Sequence, residues 1–108
     1  IDLLVRGEVD AMFTIGSDPG AHFPISAVKP IANMPSVCID PHLTPTSGVS
    51  KLHVPVAFNG VETGGNCYRM DNVPIDCRKV VEPPEGMLTD EQFLIKVRDR
   101  LKQLKGAA

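Results

Sequence analysis

The stretch VDAMFTIGSDPG, Val9 to Gly20, decides the predicted fold, because a short apolar run leads directly into a polar loop with two glycines. The first eight residues have the length and composition of a strand that is buried on both faces. Gly16, Ser17 and Asp18 follow at the end of this strand. Ligands of open α/β sheets bind beside the carboxyl ends of the strands. The stretch therefore predicts either a ligand-binding loop or a tight turn.

The segments on either side of this stretch predict alternating helices and strands. Residues 1–5 place apolar side chains on one helical face, and Gly7 is placed to end that helix. Residues 24–34 predict a helix of one or two turns, because Pro30 interrupts a longer one. Residues 35–40 read as a second buried strand. Short connections in this order favour right-handed βαβ units and a parallel sheet.

The remaining chain predicts a third strand and a hairpin. LHVPVAF, residues 52–58, is a short strand that Pro55 assigns to a sheet edge or an irregular end. CYRMDNVPIDCRKV, residues 67–80, reads as a β-hairpin with Asp71-Asn72-Val73 as its turn. A three-residue turn at this place would put Cys67 directly opposite Cys77.

A closing helix is predicted from Thr89, because Thr89 and Gln92 have the spacing of a capping box. Its apolar residues recur at helical spacing and predict a packing face. These residues are Phe93, Leu94, Val97, Leu101 and Leu104. The elements together predict a single α/β domain over residues 1–108. Its fold class is a three-layer Rossmann-like domain with a mostly parallel sheet, a β-hairpin and a C-terminal helix.

Composition excludes two classes of partner. The 108 residues carry a net charge of −2, with one Tyr and no Trp, so neither a basic surface nor stacking residues favour nucleic-acid binding. No apolar run approaches the ~20 residues of a membrane span, and the first residues lack a signal-peptide pattern. The chain starts at Ile1, within what reads as a helix, which suggests a piece of a longer polypeptide.

The three cysteines have no metal-binding or C-x-x-C spacing, which favours free thiols. Cys67 and Cys77 are interpreted as a reduced pair of small core residues, because directly opposed strand positions rarely form an unstrained disulfide. Arg69, on the same strand as Cys67, has two interpretations: a partner for a phosphate or carboxylate, or a surface salt bridge.

Three polar loops are the candidate ligand site, namely GSDPG, DPHLTPTS and NGVETGGN. Glycines allow backbone N–H groups to approach a phosphate, and Ser or Thr hydroxyls add donors. A nucleotide-like ligand and plain turn structure both remain open on this chemistry. The loops match neither the G-x-G-x-x-G nor the P-loop pattern. His22, His42 and His53 lack ligand spacing, so no metal site and no catalytic residue is predicted.

The order of these motifs resembles one enzyme family. GSDPGAHFP, IDPHLTPTS and NGVETGGNCYRMDNVPIDCRKVVEPP together are similar to the C-terminal part of the B subunit of formylmethanofuran dehydrogenases, in the molybdopterin oxidoreductase superfamily. The resemblance covers nearly all of the chain from Val9 to Leu94. It implies a cytoplasmic archaeal enzyme that reduces carbon dioxide and joins the formyl group to methanofuran, the first step of methanogenesis.

The resemblance also implies a cofactor and the residues that would hold it. The cofactor is molybdopterin guanine dinucleotide with tungsten or molybdenum. Gly16, Ser17 and Asp18 would line its guanosine pocket, and Asp40 would contact the ribose, base or phosphates. The Thr44–Ser47 loop, through Thr44, Thr46 and Ser47, would share this contact, and Glu62 would lie in a further loop near the cofactor.

The family's iron–sulfur cysteine run and its metal-ligating cysteine match nothing in this chain. The resemblance therefore places the iron–sulfur cluster elsewhere in the same polypeptide, and makes this chain inactive alone. The expected partners are the remainder of the B subunit and the other subunits of the complex. Two alternatives from other classes are a stand-alone nucleotide-binding or regulatory module without redox activity, and a structural interaction domain.

Overall fold

The computed structural model describes residues 1–106, which fall into two compact units that join after Pro55. The first unit contains a three-stranded parallel sheet with the order β1-β2-β3. Its elements are α1 (Asp2–Arg6), β1 (Met12–Ile15), α2 (Pro19–His22), α3 (Ile25–Asn33), β2 (Ser36–Ile39), α4 (Pro45–Val49) and β3 (Leu52–Val54). Gly7 ends α1 in the left-handed conformation with φ of 71°, as the sequence predicts.

One face of this sheet lies under the helices. Leu4 of α1 packs with Ala27, Ile31 and Met34 in a buried cluster, and Met12 of β1 packs against it. On the same face, the hydroxyl of Ser36 donates to the carbonyl of Ile31 at 3.1 Å. The core of the first unit is therefore the layer between the helices and this face of the sheet.

The opposite face of the sheet is apolar and partly open: Ile39 of β2 is fully buried, while side chains of the two edge strands are exposed. The register aligns Phe13 with Val37 and Leu52, and Ile15 with Ile39 and Val54. Phe13 is 54%, Leu52 53% and Ile15 41% exposed. The prediction that the first strand is buried on both faces is therefore wrong. Right-handed crossovers that always step in one direction place every connecting helix on the same face.

The second unit contains a two-stranded antiparallel hairpin of β4 (Gly65–Tyr68) and β5 (Pro74–Cys77), and the helix α5 (Asp90–Gly106). The predicted register of the hairpin is wrong, because Cys67 pairs with Ile75. The turn consists of residues 70–72, one residue earlier than the predicted residues 71–73. Asn72 closes it in the left-handed conformation with φ of 63°, which asparagine tolerates.

The closing helix begins where the sequence predicts. The Thr89 hydroxyl accepts from the Gln92 N–H at 3.0 Å, and the Gln92 side chain accepts from the Thr89 N–H at 3.1 Å, so the capping box is confirmed. Within the described part of α5 no side chain is buried, and Leu101 and Leu104 are about half exposed. The predicted packing face is thus half-buried at Phe93, Leu94 and Val97 and open over its last turns.

The predicted fold class is confirmed as mixed α/β with a parallel sheet, a hairpin and a C-terminal helix. Three predicted bounds are wrong. β1 starts at Met12, and β3 ends at Val54 because Pro55 follows. α3 continues through Pro30 for nine residues, longer than the predicted turn or two. A single domain over residues 1–108 stays a prediction.

Candidate functional site

The loops that follow β1 and β2 are joined by a direct contact between Asp18 and Thr46. Oδ1 of Asp18 accepts from the backbone N–H of Thr46 at 3.0 Å and from its hydroxyl at 2.5 Å. Thr46 is fully buried. The carboxyl ends of two neighbouring parallel strands thereby carry one connected structure, which we call the Asp18–Thr46 clamp.

Gly20 completes the Asp18–Thr46 clamp, although it is not among the site residues predicted from the sequence. Its N–H donates to the hydroxyl oxygen of Thr46 at 2.7 Å. A Cβ at this position would lie 2.6 Å from the backbone nitrogen of Thr46, closer than real side chains come. The second glycine of GSDPG could have indicated this contact in the sequence, because close approach of another backbone is one of the few reasons for a position to require glycine.

The hydrogen bonds of the clamp also favour the ionised form of the Asp18 carboxyl group. The side-chain hydrogen bond from Thr46 lowers the pKa of Asp18, and the backbone N–H groups of Thr46 and Ala21 act in the same direction, while desolvation opposes them. A carboxylate that accepts several hydrogen bonds keeps its charge. Asp18 therefore stays ionised, and part of its hydrogen-bonding capacity is used inside the protein.

Thr44 and Ser47 are used in capping α4. The Thr44 hydroxyl accepts from the Ser47 N–H at 3.2 Å. The Ser47 hydroxyl accepts from the Thr44 N–H and donates to the Thr44 carbonyl, both at 2.8 Å. These reciprocal bonds form a capping box. The two hydroxyls therefore shape the loop from within, and both residues remain half-buried.

Asp40 lies at the end of β2 and is 8% exposed. Its Oδ1 accepts from the backbone N–H of His42 at 2.8 Å. Its carbonyl accepts from Nε2 of His53 at 2.9 Å, which ties the end of β2 to β3. The Asp40 side chain thus forms an Asx-type turn that directs the chain toward Thr44.

Gly16 and Ser17 are the predicted site residues that solvent reaches freely. Both are exposed, and Gly16 has φ of 54° with open space where a Cβ would lie. The N–H of Gly16 donates to the carbonyl of Ile39 at 3.0 Å, so this loop starts level with the end of β2. A ligand at this edge would meet Gly16 and Ser17 before it met the residues of the clamp.

Glu62 belongs to the second unit, whereas the other predicted site residues belong to the first. Its Oε2 accepts from the backbone N–H of Phe58 at 2.8 Å and closes the turn of the NGVETGGN loop. The structure thus brings together Asp18, Thr44, Thr46 and Ser47, with Gly16, Ser17 and Asp40 in the adjoining segments. Glu62 has its own local role.

Two other side chains with candidate roles have partners inside the chain. Nδ1 of His22 donates to the carbonyl of Asp18 at 2.7 Å. The Arg69 guanidinium forms a two-point salt bridge with the exposed carboxylate of Asp71, which confirms the salt-bridge interpretation. Among residues 1–106, no three His, Cys, Asp or Glu side chains lie close enough to hold a metal ion. In the same range, no helix has the length and hydropathy of a membrane span.

No family model matches the chain. Two curated relatives match it over almost its whole length. It is 52% identical over 103 residues to the B subunit of tungsten-containing formylmethanofuran dehydrogenase 2 of Methanocaldococcus jannaschii. It is 51% identical over 104 residues to the protein of the same description from Methanococcus maripaludis. This chain is related to the B subunit of formylmethanofuran dehydrogenase.

The resemblance to this B subunit that the motifs predict is therefore confirmed. The alignments cover 95% and 94% of this chain but 24% of each relative, so the chain spans about a quarter of the length of the curated relatives it matches. The relation thus applies to the whole of the Asp18–Thr46 clamp and to the hairpin alike.

Proposed function

We propose that this chain is part of a formylmethanofuran dehydrogenase and helps to bind the guanosine and phosphate end of molybdopterin guanine dinucleotide. The relatives' names, which describe tungsten-containing enzyme subunits, support the enzyme class. The observation that carries the cofactor role is the Asp18–Thr46 clamp, which joins two loops at the carboxyl edge of a parallel sheet. This is the edge at which α/β proteins bind nucleotides.

The residues at this edge offer a nucleotide an exposed backbone and an exposed hydroxyl group. Gly16 leaves its Cα unobstructed and Ser17 is exposed, so the backbone and a hydroxyl can reach a ligand. Asp18 and Thr46 are already bonded to each other. We therefore assign direct contact to Gly16 and Ser17, and positioning of their loop to Asp18 and Thr46.

The other predicted residues would act around this contact. Thr44 and Ser47 fix the start of α4, and Asp40 fixes the loop that leads to it. Glu62 supports the NGVETGGN loop from within its own unit. The bound cofactor would supply the tungsten or molybdenum centre on which carbon dioxide is reduced, while this chain would orient the remote end of the cofactor.

The proposal includes the surroundings of the full protein. An iron–sulfur cluster and the ligands of the metal would lie in the remainder of the B subunit, and other subunits would complete a cytoplasmic complex. Both relatives are named as one subunit of an enzyme, which supports a multi-subunit assembly. The relatives' greater length supports this proposal over a stand-alone regulatory module.

The test uses the full-length protein purified with its complex. Asp18→Ala removes the acceptor of both Thr46 bonds, whereas Asp18→Asn keeps a carbonyl oxygen in that place. We expect Asp18→Ala to lower the guanine content, the tungsten or molybdenum content and the activity together, and Asp18→Asn to lower them less. Asp76→Asn, on the exposed hairpin, is the matched control and should retain all three.

A second variant separates contact from positioning. Ser17 is exposed, so Ser17→Tyr should leave the fold intact and obstruct the edge of the sheet. We expect reduced guanine content with unchanged complex assembly. Normal guanine and metal content in both Asp18→Ala and Ser17→Tyr would refute the proposed role of these loops.

A further inference from the structure

Cys67 and Cys77 lie beside each other on one face of the hairpin. The register pairs Cys67 with Ile75 and Gly65 with Cys77, so the two cysteines are diagonal neighbours across β4 and β5. Side chains at directly and diagonally paired positions share a face of the sheet. Both cysteines line the same pocket of the second unit. Neither cysteine forms a disulfide.

The same two residues line an open pocket of about 160 Å³ in the second unit. Glycine occupies positions 60, 64 and 65 in its wall, so little side-chain bulk crowds the sulfur atoms. A Cβ on Gly60 would lie 3.7 Å from Sγ of Cys77. Cys67 is exposed and Cys77 half-buried, so an ion in solution can reach both. The interpretation of the pair as core residues is therefore wrong.

We propose that Cys67 and Cys77 form a dithiol site for one soft metal ion of low coordination number, of which copper(I) is the biological example. Copper(I) and two thiols would give a bis-thiolate complex with a charge of −1, and two protons would be released to solvent. No electron is transferred in this step. The inference is independent of the proposed cofactor role, because it rests on the second unit alone.

The ligand set favours such an ion over zinc. Structural zinc sites use four protein ligands in tetrahedral geometry. In the described part of the chain, no third His, Cys, Asp or Glu joins the two cysteines. Soft thiolate ligands without further protein donors select copper(I) among the common biological metals.

The geometry also favours an ion over a disulfide. Diagonal neighbours in an antiparallel pair have Cα atoms about 7–8 Å apart, whereas disulfides usually need about 5.5–6 Å. Two metal–sulfur bonds of about 2.3 Å each span a wider gap than one sulfur–sulfur bond.

The test measures thiol protection in the full-length protein, peptide by peptide. Trypsin cleaves after Lys51, Arg69 and Arg78, which separates Cys67 and Cys77 into peptides 52–69 and 70–78. The protein is incubated anaerobically with copper(I), supplied as its acetonitrile complex, and then alkylated with N-ethylmaleimide. We expect copper(I) to slow alkylation of both peptides in parallel. The peptide with the buried Cys38 should show no dependence on copper(I).

Single substitutions decide whether the two thiols act together. In Cys77→Ser, copper(I) should no longer protect Cys67, and in Cys67→Ser it should no longer protect Cys77. Cys67 is exposed and Cys77 half-buried, and serine is close to cysteine in size, so both variants are compatible with folding. The proposal is overturned if copper(I) leaves both alkylation rates unchanged, or if protection of either cysteine survives loss of the other. Disulfide-linked peptides 52–69 and 70–78 in the untreated protein would also overturn it.

Discussion

At the scale of single residues, the contact between Gly20 and Thr46 is the tightest constraint on the candidate site. The Gly20 N–H donates to a hydroxyl that itself donates to Asp18, so three residues from two loops share one oxygen atom. Such linked hydrogen bonds hold a loop in one arrangement more firmly than separate ones do. The exposed residues Gly16 and Ser17 are positioned by this buried group.

Replacement of Gly20 by alanine should therefore destabilise the chain. The new Cβ would lie 2.6 Å from the Thr46 nitrogen, which is backbone and cannot rotate away. We expect a loss of about 1–3 kcal/mol in the free energy of unfolding, as for other overpacked sites. The measurement is urea unfolding of the 108-residue chain, followed by circular dichroism.

Gly48→Ala is the matched control for Gly20→Ala. Gly48 lies in α4 with open space where a Cβ would be placed. Alanine should stabilise a helical position of this kind by about 0.5–1 kcal/mol relative to glycine. Equal effects of the two alanines would show that the close approach at Gly20 is not a real constraint.

The charge of Asp18 gives a prediction about pH. Because its pKa is lowered in the folded chain by the Thr46 hydrogen bonds, Asp18 stabilises the fold above its unfolded pKa of about 3.9. This contribution is lost as the pH falls through the lowered, folded-state value. The stability difference between the wild type and Asp18→Asn should therefore be present at neutral pH and shrink in acid. A difference that is constant from neutral to acid pH would contradict the assignment.

At the scale of secondary-structure elements, short-range chemistry sets where helices begin. Thr44 with Ser47 and Thr89 with Gln92 both form reciprocal caps, and each comes directly before its helix. A cap satisfies backbone N–H groups that the first turn leaves without partners. The cap at Thr89 matters more to its helix, because no residue in the described part of α5 is buried.

Thr89→Ala should consequently weaken the start of α5. Loss of an N-cap hydroxyl costs about 1 kcal/mol. We expect faster amide hydrogen exchange in the first turn after Asp90, measured by mass spectrometry. Thr89→Ser keeps the accepting oxygen and should exchange like the wild type. Unchanged exchange in the alanine variant would mean that packing, and not the cap, determines the start of this helix.

At the scale of the whole molecule, each described unit leaves apolar surface open. In the first unit, Phe13, Ile15 and Leu52 line the face of the sheet that the helices do not cover. Parallel sheets in folded proteins are normally covered on both faces. In the second unit, Leu101 and Leu104 of α5 are about half exposed.

The open face of the sheet should make the 108-residue chain self-associate. Phe13→Ser combined with Leu52→Ser removes two large side chains from this face and should shift sedimentation velocity profiles toward monomer, with little change in circular dichroism. Met70→Ser is the control, because Met70 is fully exposed in the hairpin turn and belongs to the second unit. Association that is unaffected by the double substitution would show that this face is not responsible.

Local signals along the chain were enough to predict several of the elements. The cap at Thr89 and the glycine that ends α1 both act within one or two turns of the chain. The family relation was also readable, because the motifs that carry it are contiguous. The fold class followed from the alternation of these local elements.

Which side chains meet, and which remain open, depends on how the elements pack and pair in three dimensions. The Asp18–Thr46 clamp joins residues 28 positions apart, and its need for glycine at position 20 depends on the backbone of another loop. The hairpin register depends on the left-handed conformation of Asn72, and the open face of β1 depends on the direction in which strands are added. The clamp and the open face of β1 depend on segments that are distant in the sequence, whereas the register depends on which residue of a local turn becomes left-handed. Hydrophobic periodicity reports only that a side chain is apolar, whereas the three-dimensional arrangement decides what covers it.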